Sequence, residues 1–174
     1  MHRAIPVGIG IGGLIVADQL YVKPSPHFTW QELMTTSSGY ANTPDFAARI
    51  NLWCLCRFVL ERIRSHFGDK PVHVNSAYRT QQVNSSAGGE KNSEHMKGKA
   101  ADIYISGVDM VDIATWLYDT RELPIGQCII EWSDNHLHVS VDTEHLFDPQ
   151  NARHDYRYTY DEDNYPSWQP GMVT

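Results

Sequence analysis

The sequence has few cysteines, few basic residues and few long hydrophobic runs. Its three cysteines are Cys54, Cys56 and Cys128, and three thiols cannot all pair. We therefore expect no disulfide framework, and we interpret all three as packing residues, since a free cysteine usually behaves as a small buried hydrophobic residue. A metal role for Cys54 and Cys56 would need a second pair of cysteines, which the sequence lacks.

Basic residues are outnumbered, because 14 Lys and Arg stand against 21 Asp and Glu and leave a formal net charge of −7. Affinity for nucleic-acid phosphates comes from clustered Lys and Arg, so we expect no nucleic-acid partner. Hydrophobic residues make up 41% of the 174 residues and charged residues 20%. This composition excludes a disordered chain, a collagen-like repeat and a heptad rod, and we expect one globular, monomeric domain.

The longest apolar run, AIPVGIGIGGLIVA, covers residues 4–17. Its length suits the core of a signal peptide better than a membrane span, and we expect no stable span. Because it is rich in glycine and lacks a clear cleavage site, we favour a buried strand or an N-terminal arm over a signal or anchor. Lys23–Pro26 predicts a linker. The expected organisation is an N-terminal segment (1–26), a folded domain (27–148) and a polar, tyrosine-rich tail (149–174).

Two helix starts precede the first strand. Thr29–Glu32 has the T-x-x-E pattern of a capping box, which predicts a short helix. Thr43 as N-cap with Pro44 at the first helical position predicts a second helix, and an apolar stripe with spacings of three and four continues it to Gly68. This long helix is interpreted as scaffold.

Beyond that helix, period-two alternation predicts four strands, near 72–76, 102–106, 128–132 and 136–141. A polar loop is expected over Thr80–Lys99, and a further helix over about Val108–Tyr118. The pattern predicts an α+β fold with a small, mainly antiparallel sheet flanked by helices. The tail shows no apolar period. Its aromatic residues would either form a wall-binding strip or pack on the domain, and we favour packing; they are Tyr156, Tyr158, Tyr160, Tyr165 and Trp168.

His95 and Asp102 offer two metal ligands seven residues apart. A hydrolytic zinc site uses three protein ligands from His, Asp or Glu and keeps one position open. On a continuous helix, seven residues correspond to about 10 Å of rise, too far for two ligands of one ion. The backbone must therefore turn back between them, and Gly98 allows such a turn.

The segment that follows Asp134 supplies a third ligand. Strand alternation places His136 and His138 on one face. If Asp134 and Asn135 form a two-residue turn, Glu131 pairs with His138 and lies beside this ligand. A three-residue loop would instead turn Glu131 to the opposite face and make Asp134 the better acid/base candidate. We favour Glu131, because a general base must touch the attacking water without ligating the metal.

Four motifs, in this order along the chain, resemble the M15 family of zinc peptidases. The resemblance is to its D-alanyl-D-alanine carboxypeptidase and phage endolysin branch, to which hedgehog signalling domains are related, and it covers about Phe28 to Asp142. The motifs are SAYRT at Ser76–Thr80, VNSSAGG at Val83–Gly89, SxHxxGxAxD at Ser93–Asp102 and E(x)4HLHVS at Glu131–Ser140.

The resemblance implies a hedgehog/D,D-peptidase-like fold and cleavage of peptide bonds in the stem peptides of bacterial peptidoglycan. It implies a Zn²⁺ cofactor bound by His95, Asp102 and His138. Arg79 would hold a substrate carboxylate or polarise the scissile carbonyl, and Ser93 would help to fix the substrate.

One position departs from the family pattern. Many members place the catalytic acid three residues before the last zinc histidine, where this chain has Asn135, whose amide cannot take a proton. Glu131 fits the variant that carries a glutamate farther upstream, apart from one extra residue in the loop. His136 would then stabilise the developing oxyanion or position the water.

The resemblance also implies where the protein acts, and it leaves open an alternative without catalysis. A wall-acting peptidase implies a periplasmic, extracellular or wall-associated protein, or a phage-encoded one that acts on the host wall. The alternative is a non-catalytic zinc domain that binds wall peptides or a protein partner, which the hedgehog relationship permits. The sequence has neither the G-x-x-x-x-G-K-[ST] spacing of a phosphate loop nor the G-x-S-x-G elbow, so we expect neither a nucleotide site nor a serine hydrolase.

Overall fold

The computed structural model of the protein describes residues 22–159, with side chains described up to Tyr156. The apolar run at 4–17 and three of the aromatic tail residues, Tyr160, Tyr165 and Trp168, lie outside the described residues. Among residues 22–159, no helix has the length and apolar character needed to cross a membrane.

Three helical segments open the described chain. Helix α1 (Trp30–Met34) begins with the predicted capping box, because the Thr29 hydroxyl accepts the amide proton of Glu32 and the Glu32 carboxylate accepts that of Thr29. Helix α2 (Phe46–Leu55) continues without a break through a π-helical turn (Cys56–Leu60) into α3 (Glu61–His66).

The predicted N-cap of the long helix was wrong by two residues. Asp45, rather than Thr43, caps α2, because its carboxylate accepts the amide proton of Ala48 at 2.8 Å. Asp and Thr both cap helices well, so the sequence offered two caps in close succession and the structure uses the second. The helix ends before Gly68, whose φ of +71° is one that glycine adopts at little cost.

The predicted loop over Thr80–Lys99 is partly helical. Thr80 caps a short helix α4 (Gln81–Ser86), and Glu94–Lys97 forms a 3₁₀ turn. Helix α5 (Met110–Thr120) confirms the helix expected near Val108–Tyr118, shifted by two residues at each end. A second 3₁₀ turn covers Pro149–Asn151.

The sheet has five strands in the order β1-β2-β4-β3-β5. Their bounds are β1 (Val72–Ser76), β2 (Ala100–Ile105), β3 (Ile125–Glu131), β4 (His136–Val141) and β5 (Asp155–Thr159). The pairs β1/β2, β2/β4 and β4/β3 are antiparallel, whereas β3/β5 is parallel. The α+β class is confirmed, and the sheet is mixed.

The fifth strand lies in the tail, where the sequence predicted no regular structure. Tyr156 packs on the domain at 8% exposure, and its hydroxyl donates to the carbonyl of Leu117 at 2.7 Å. The aromatic residues of this segment follow no apolar period in the sequence, so pairing with β3 rather than a local pattern forms this strand.

Helices cover one face of the sheet and form the hydrophobic core there. Leu52 and Ile63 of the long helix and Leu117 of α5 meet Leu137 and Val139 of β4, all at 0% exposure. The cysteines are free and buried as predicted, and burial raises the pKa of the Cys54 thiol to about 11. Because residues alternate along β4, His136 and His138 point to the other face, where the candidate site lies.

Candidate metal centre

A tight turn brings His95 back toward the sheet. Ser93 caps the 3₁₀ turn, its hydroxyl accepting the amide proton of His95 at 3.3 Å. The turn ends at Gly98, whose φ is +69°, and β2 starts two residues later at Ala100. The reversal predicted between His95 and Asp102 is therefore present, and it occurs at Gly98.

Gly98 is required for two reasons, its positive φ and its close approach to helix α2. A Cβ added there would overlap the carbonyl oxygen of Ala48. We expect Gly98→Ala to lower the free energy of unfolding by about 1–2 kcal/mol for the left-handed backbone and by about 1–3 kcal/mol more for the overlap.

Gly107 provides a matched control for this prediction. Its φ is +72°, and a Cβ built there has nothing within 4 Å, so Gly107→Ala carries the backbone cost alone. Denaturant unfolding of both variants measures the difference. Equal losses of stability would show that the contact with Ala48 does not constrain the turn.

Three side chains converge where the turn meets β2 and β4. Asp102 and His138 are direct partners across these strands, and His95 reaches them from the turn. His95 Nε2 lies 3.1 Å from Asp102 Oδ1 and 3.1 Å from His138 Nδ1, and the last two atoms are 3.0 Å apart. The side chains are buried, with exposures of 3%, 3% and 7%. The structure thus brings all three predicted ligands together, and their donor atoms form a nearly equilateral triangle.

The donor set fits a zinc ion. With bonds of about 2.1 Å, tetrahedral ligands stand roughly 3.4 Å apart, so the triangle needs to open by only a few tenths of an ångström. His95 Nδ1 lies 2.6 Å from the carbonyl oxygen of Ala77, to which it donates, and this leaves the Nε2 lone pair for a metal.

The protonation states also suit metal binding. Burial lowers the pKa of His95 and favours the neutral imidazole. Burial alone would raise the pKa of Asp102, but contacts with His138 and His95 outweigh it and hold that pKa well below its usual range. A neutral imidazole and an ionised carboxylate are the forms that bind metal.

Arg79 contacts the metal-site carboxylate as well as the cleft. Its Nη2 donates to Asp102 Oδ2, and its Nε donates to the hydroxyl of Ser76 at 2.8 Å. This pairing orients Asp102 so that Oδ1 faces the two histidines. Arg79 was predicted to contact the substrate, and its contact with Asp102 was not predicted, since no local pattern connects residues 23 positions apart.

The predicted register of the β3–β4 hairpin was wrong. Glu131 pairs with His136 rather than His138, because the connection has four residues, 132–135, and not two. Asn135 takes the positive φ, at +52°. The observed pairing differs from the predicted one by two residues. Because side chains alternate with a period of two, Glu131 still points to the face of the sheet that carries the metal site.

Glu131 and His136 form a pair beside the triangle. Glu131 Oε2 lies 3.1 Å from His136 Nε2, which is 3.6 Å from Asp102 Oδ1. Contact with His136 lowers the pKa of Glu131 against the effect of burial. Burial alone would lower the pKa of His136, but Glu131, Asp102 and Asp134 raise it. Asp134, the alternative acid, is exposed and lies close to the same pair.

The site lies in a cleft of about 810 Å³. All seven residues singled out from the sequence line this cleft, namely Arg79, Ser93, His95, Asp102, Glu131, His136 and His138. Three further residues that line the cleft were not predicted, namely Gln127, Ile129 and Arg153. Gln127 and Ile129 share a face of β3 with Glu131, so strand alternation could have indicated them. Arg153 belongs to the tail, where no local pattern indicates a site residue.

Comparisons with known proteins agree with this geometry. The sequence profile of the Peptidase M15 family matches residues 26–140. A zinc D-Ala-D-Ala carboxypeptidase from Streptomyces albus G is 36% identical over 83 residues, which are 44% of this chain and 31% of the relative. The chain thus spans about a third of the length of that relative. Since the family profile covers most of the chain and includes every predicted ligand, the protein belongs to the Peptidase M15 family, as the motifs had indicated.

Proposed function

We propose that the protein is a zinc-dependent peptidase that hydrolyses peptide bonds in the stem peptides of bacterial peptidoglycan, as a D,D-carboxypeptidase or as an endolysin-type endopeptidase. One observation carries this proposal: His95, Asp102 and His138 meet at 3.0–3.1 Å beside an ionised glutamate. The cofactor of this site is Zn²⁺, and the fold is of the hedgehog/D,D-peptidase type.

Zinc supplies a Lewis acid that polarises a carbonyl and lowers the pKa of water to about 7. The residues of the chain do the remaining work. Glu131 accepts the proton of the attacking water, since its lowered pKa keeps the carboxylate ionised and its side chain is 30% exposed. It then delivers this proton to the leaving amine, as expected of a general base that becomes a general acid.

His136 and Arg79 offset the negative charge that develops on the scissile carbonyl oxygen. The raised pKa of His136 favours the imidazolium, and the Nη1 group of Arg79 is not used in the contacts with Asp102 and Ser76. Preorganised donors of this kind stabilise a tetrahedral oxyanion without reorganising during the reaction. Ser93, which borders the cleft at the His95 turn, is placed to contact the substrate.

The choice of substrate rests on three supports. The cleft is lined mainly by polar residues, which suits a peptide with many hydrogen-bonding groups. The family is one of peptidases, and the matched relative is named for D-Ala-D-Ala. An enzyme with this substrate acts in the periplasm, outside the cell or, if phage-encoded, on the host wall.

Mass spectrometry of wall fragments digested by the zinc-loaded protein tests the proposal. We expect release of D-Ala from stem pentapeptides or cleavage of an internal bond, and the products distinguish carboxypeptidase from endopeptidase. A protein that binds zinc and wall peptides but yields no products would instead be the non-catalytic binding domain.

A further inference from the structure

Arg153 is held at one end of the cleft by contacts on both its backbone and its side chain. Its amide N–H donates to Asp142 Oδ2 at 3.0 Å, and its Nε donates to the carbonyl of Gly126 at 3.2 Å. Its Nη2 lies 3.6 Å from Glu94 Oε1. Among the side chains that the structure describes, which end at Tyr156, no other acceptor lies within hydrogen-bonding distance of the guanidinium, which is 48% exposed. The group is therefore positioned but still has free donors.

Glu94 is shared between two cations at this end of the cleft. The same Glu94 oxygen also pairs with Lys97 Nζ at 3.2 Å, so one carboxylate faces two cations. Among the side chains that the structure describes, Glu94 is the only carboxylate within 4 Å of the Arg153 guanidinium.

The register of the sheet gives the approximate distance along β3 between the metal site and the residue that holds Arg153. His138 is the direct partner of Ile129 on β3, and Gly126, which holds Arg153, lies three residues before Ile129. Three residues of a regular strand span about 10 Å, and the irregularity in register between Ile125 and Cys128 makes this an upper value. An extended substrate lying along β3 covers the same distance with about three residues.

We propose that Arg153 determines specificity by binding a carboxylate that the substrate carries about three residues from the scissile bond. This inference rests on the proposed function and refines it. In a D,D-carboxypeptidase only one residue follows the scissile bond. The carboxylate that Arg153 binds therefore belongs to the third residue before that bond. The planar fork of Arg153 suits a carboxylate, and it lies too far from the metal for the substrate's own C-terminal carboxylate.

A pair of synthetic pentapeptides ending in D-Ala-D-Ala tests the inference on the wild-type protein. The two peptides differ only in the third residue before the scissile bond, which carries a free carboxyl in one and a carboxamide in the other. We expect KM to be about tenfold higher for the amide, with kcat nearly unchanged, since a charge-assisted hydrogen bond is lost. Equal KM values would overturn the inference.

Substitution of Arg153 completes the test. In R153Q, we expect the two peptides to have the same KM, whereas R153K keeps part of the preference because it keeps the charge. R57Q is the matched control, since Arg57 stacks on Trp53 away from the cleft, and it should keep the full preference. If R153Q still prefers the acid, the inference is wrong. If wild-type protein cleaves neither these peptides nor intact wall material, the proposed function itself fails.

Discussion

Replacement of Glu131 by glutamine is expected to lower kcat by about 10²–10⁴-fold while the zinc content stays at one ion per chain. The amide keeps the size of the side chain and its proximity to His136, but it cannot take a proton from water. The metal ligands are unchanged, because Glu131 contacts His136 and not the triangle of His95, Asp102 and His138. Steady-state kinetics on a stem peptide, with elemental analysis of the same samples, measures both quantities.

Asp134→Asn is the control that separates the two candidate bases. Asp134 is exposed and lies close to Glu131 and His136, so D134N removes one negative charge from this cluster, as E131Q does. We expect D134N to keep kcat within about tenfold of the wild type, because a surface charge has a small effect. The opposite pattern, with D134N inactive and E131Q active, would assign the base to Asp134.

Asp102→Ala is expected to remove zinc and to destabilise the protein together. The variant loses one of three ligands, and it leaves Arg79 without its carboxylate partner. Breaking a buried ion pair costs about 3–5 kcal/mol, and zinc binding no longer adds its share to the stability of the folded state. Elemental analysis measures the loss of zinc, and the midpoint of thermal unfolding measures the loss of stability. Both measurements are made with and without added chelator.

Two further variants keep this prediction testable. Asp119→Ala removes an exposed carboxylate from α5 and should leave zinc content and stability unchanged. If D102A does not fold, Asp102→Asn keeps the shape and should still bind zinc much more weakly than the wild type. Full zinc occupancy in D102N, together with an unchanged response to chelator, would contradict the assignment of Asp102 as a ligand.

Most of the fold was predictable because its signals are local. The capping box at Thr29, the stripe of the long helix and the alternation in β4 each depend on residues close in sequence, and the structure has these elements. The N-cap of the long helix and the β3–β4 turn were predicted wrongly because more than one local solution was available. Asp45 and Thr43 could both cap a helix, and the 132–135 segment could form more than one turn.

The sequence by itself indicated the candidate ligands of the metal centre, through backbone geometry for His95, Asp102 and the His136/His138 pair, and through the family resemblance for the choice of His138. His95, Gly98 and Asp102 must make a turn to share one ion, and a histidine pair on an alternating strand must present both rings on one face. These are constraints of backbone geometry over a few residues. They required no knowledge of how the strands pair, and the structure brings the three ligands together as expected.

Only the tertiary structure decided which groups surround the ligands. The partner of Glu131 depends on hairpin register, the contact of Arg79 with Asp102 depends on the pairing of β1 with β2, and Arg153 reaches the cleft because the tail adds a strand beside β3. Such contacts join residues far apart in the chain, and their energy comes from packing and charge pairing that exist only in the folded state. For this reason no local pattern in the sequence could specify them.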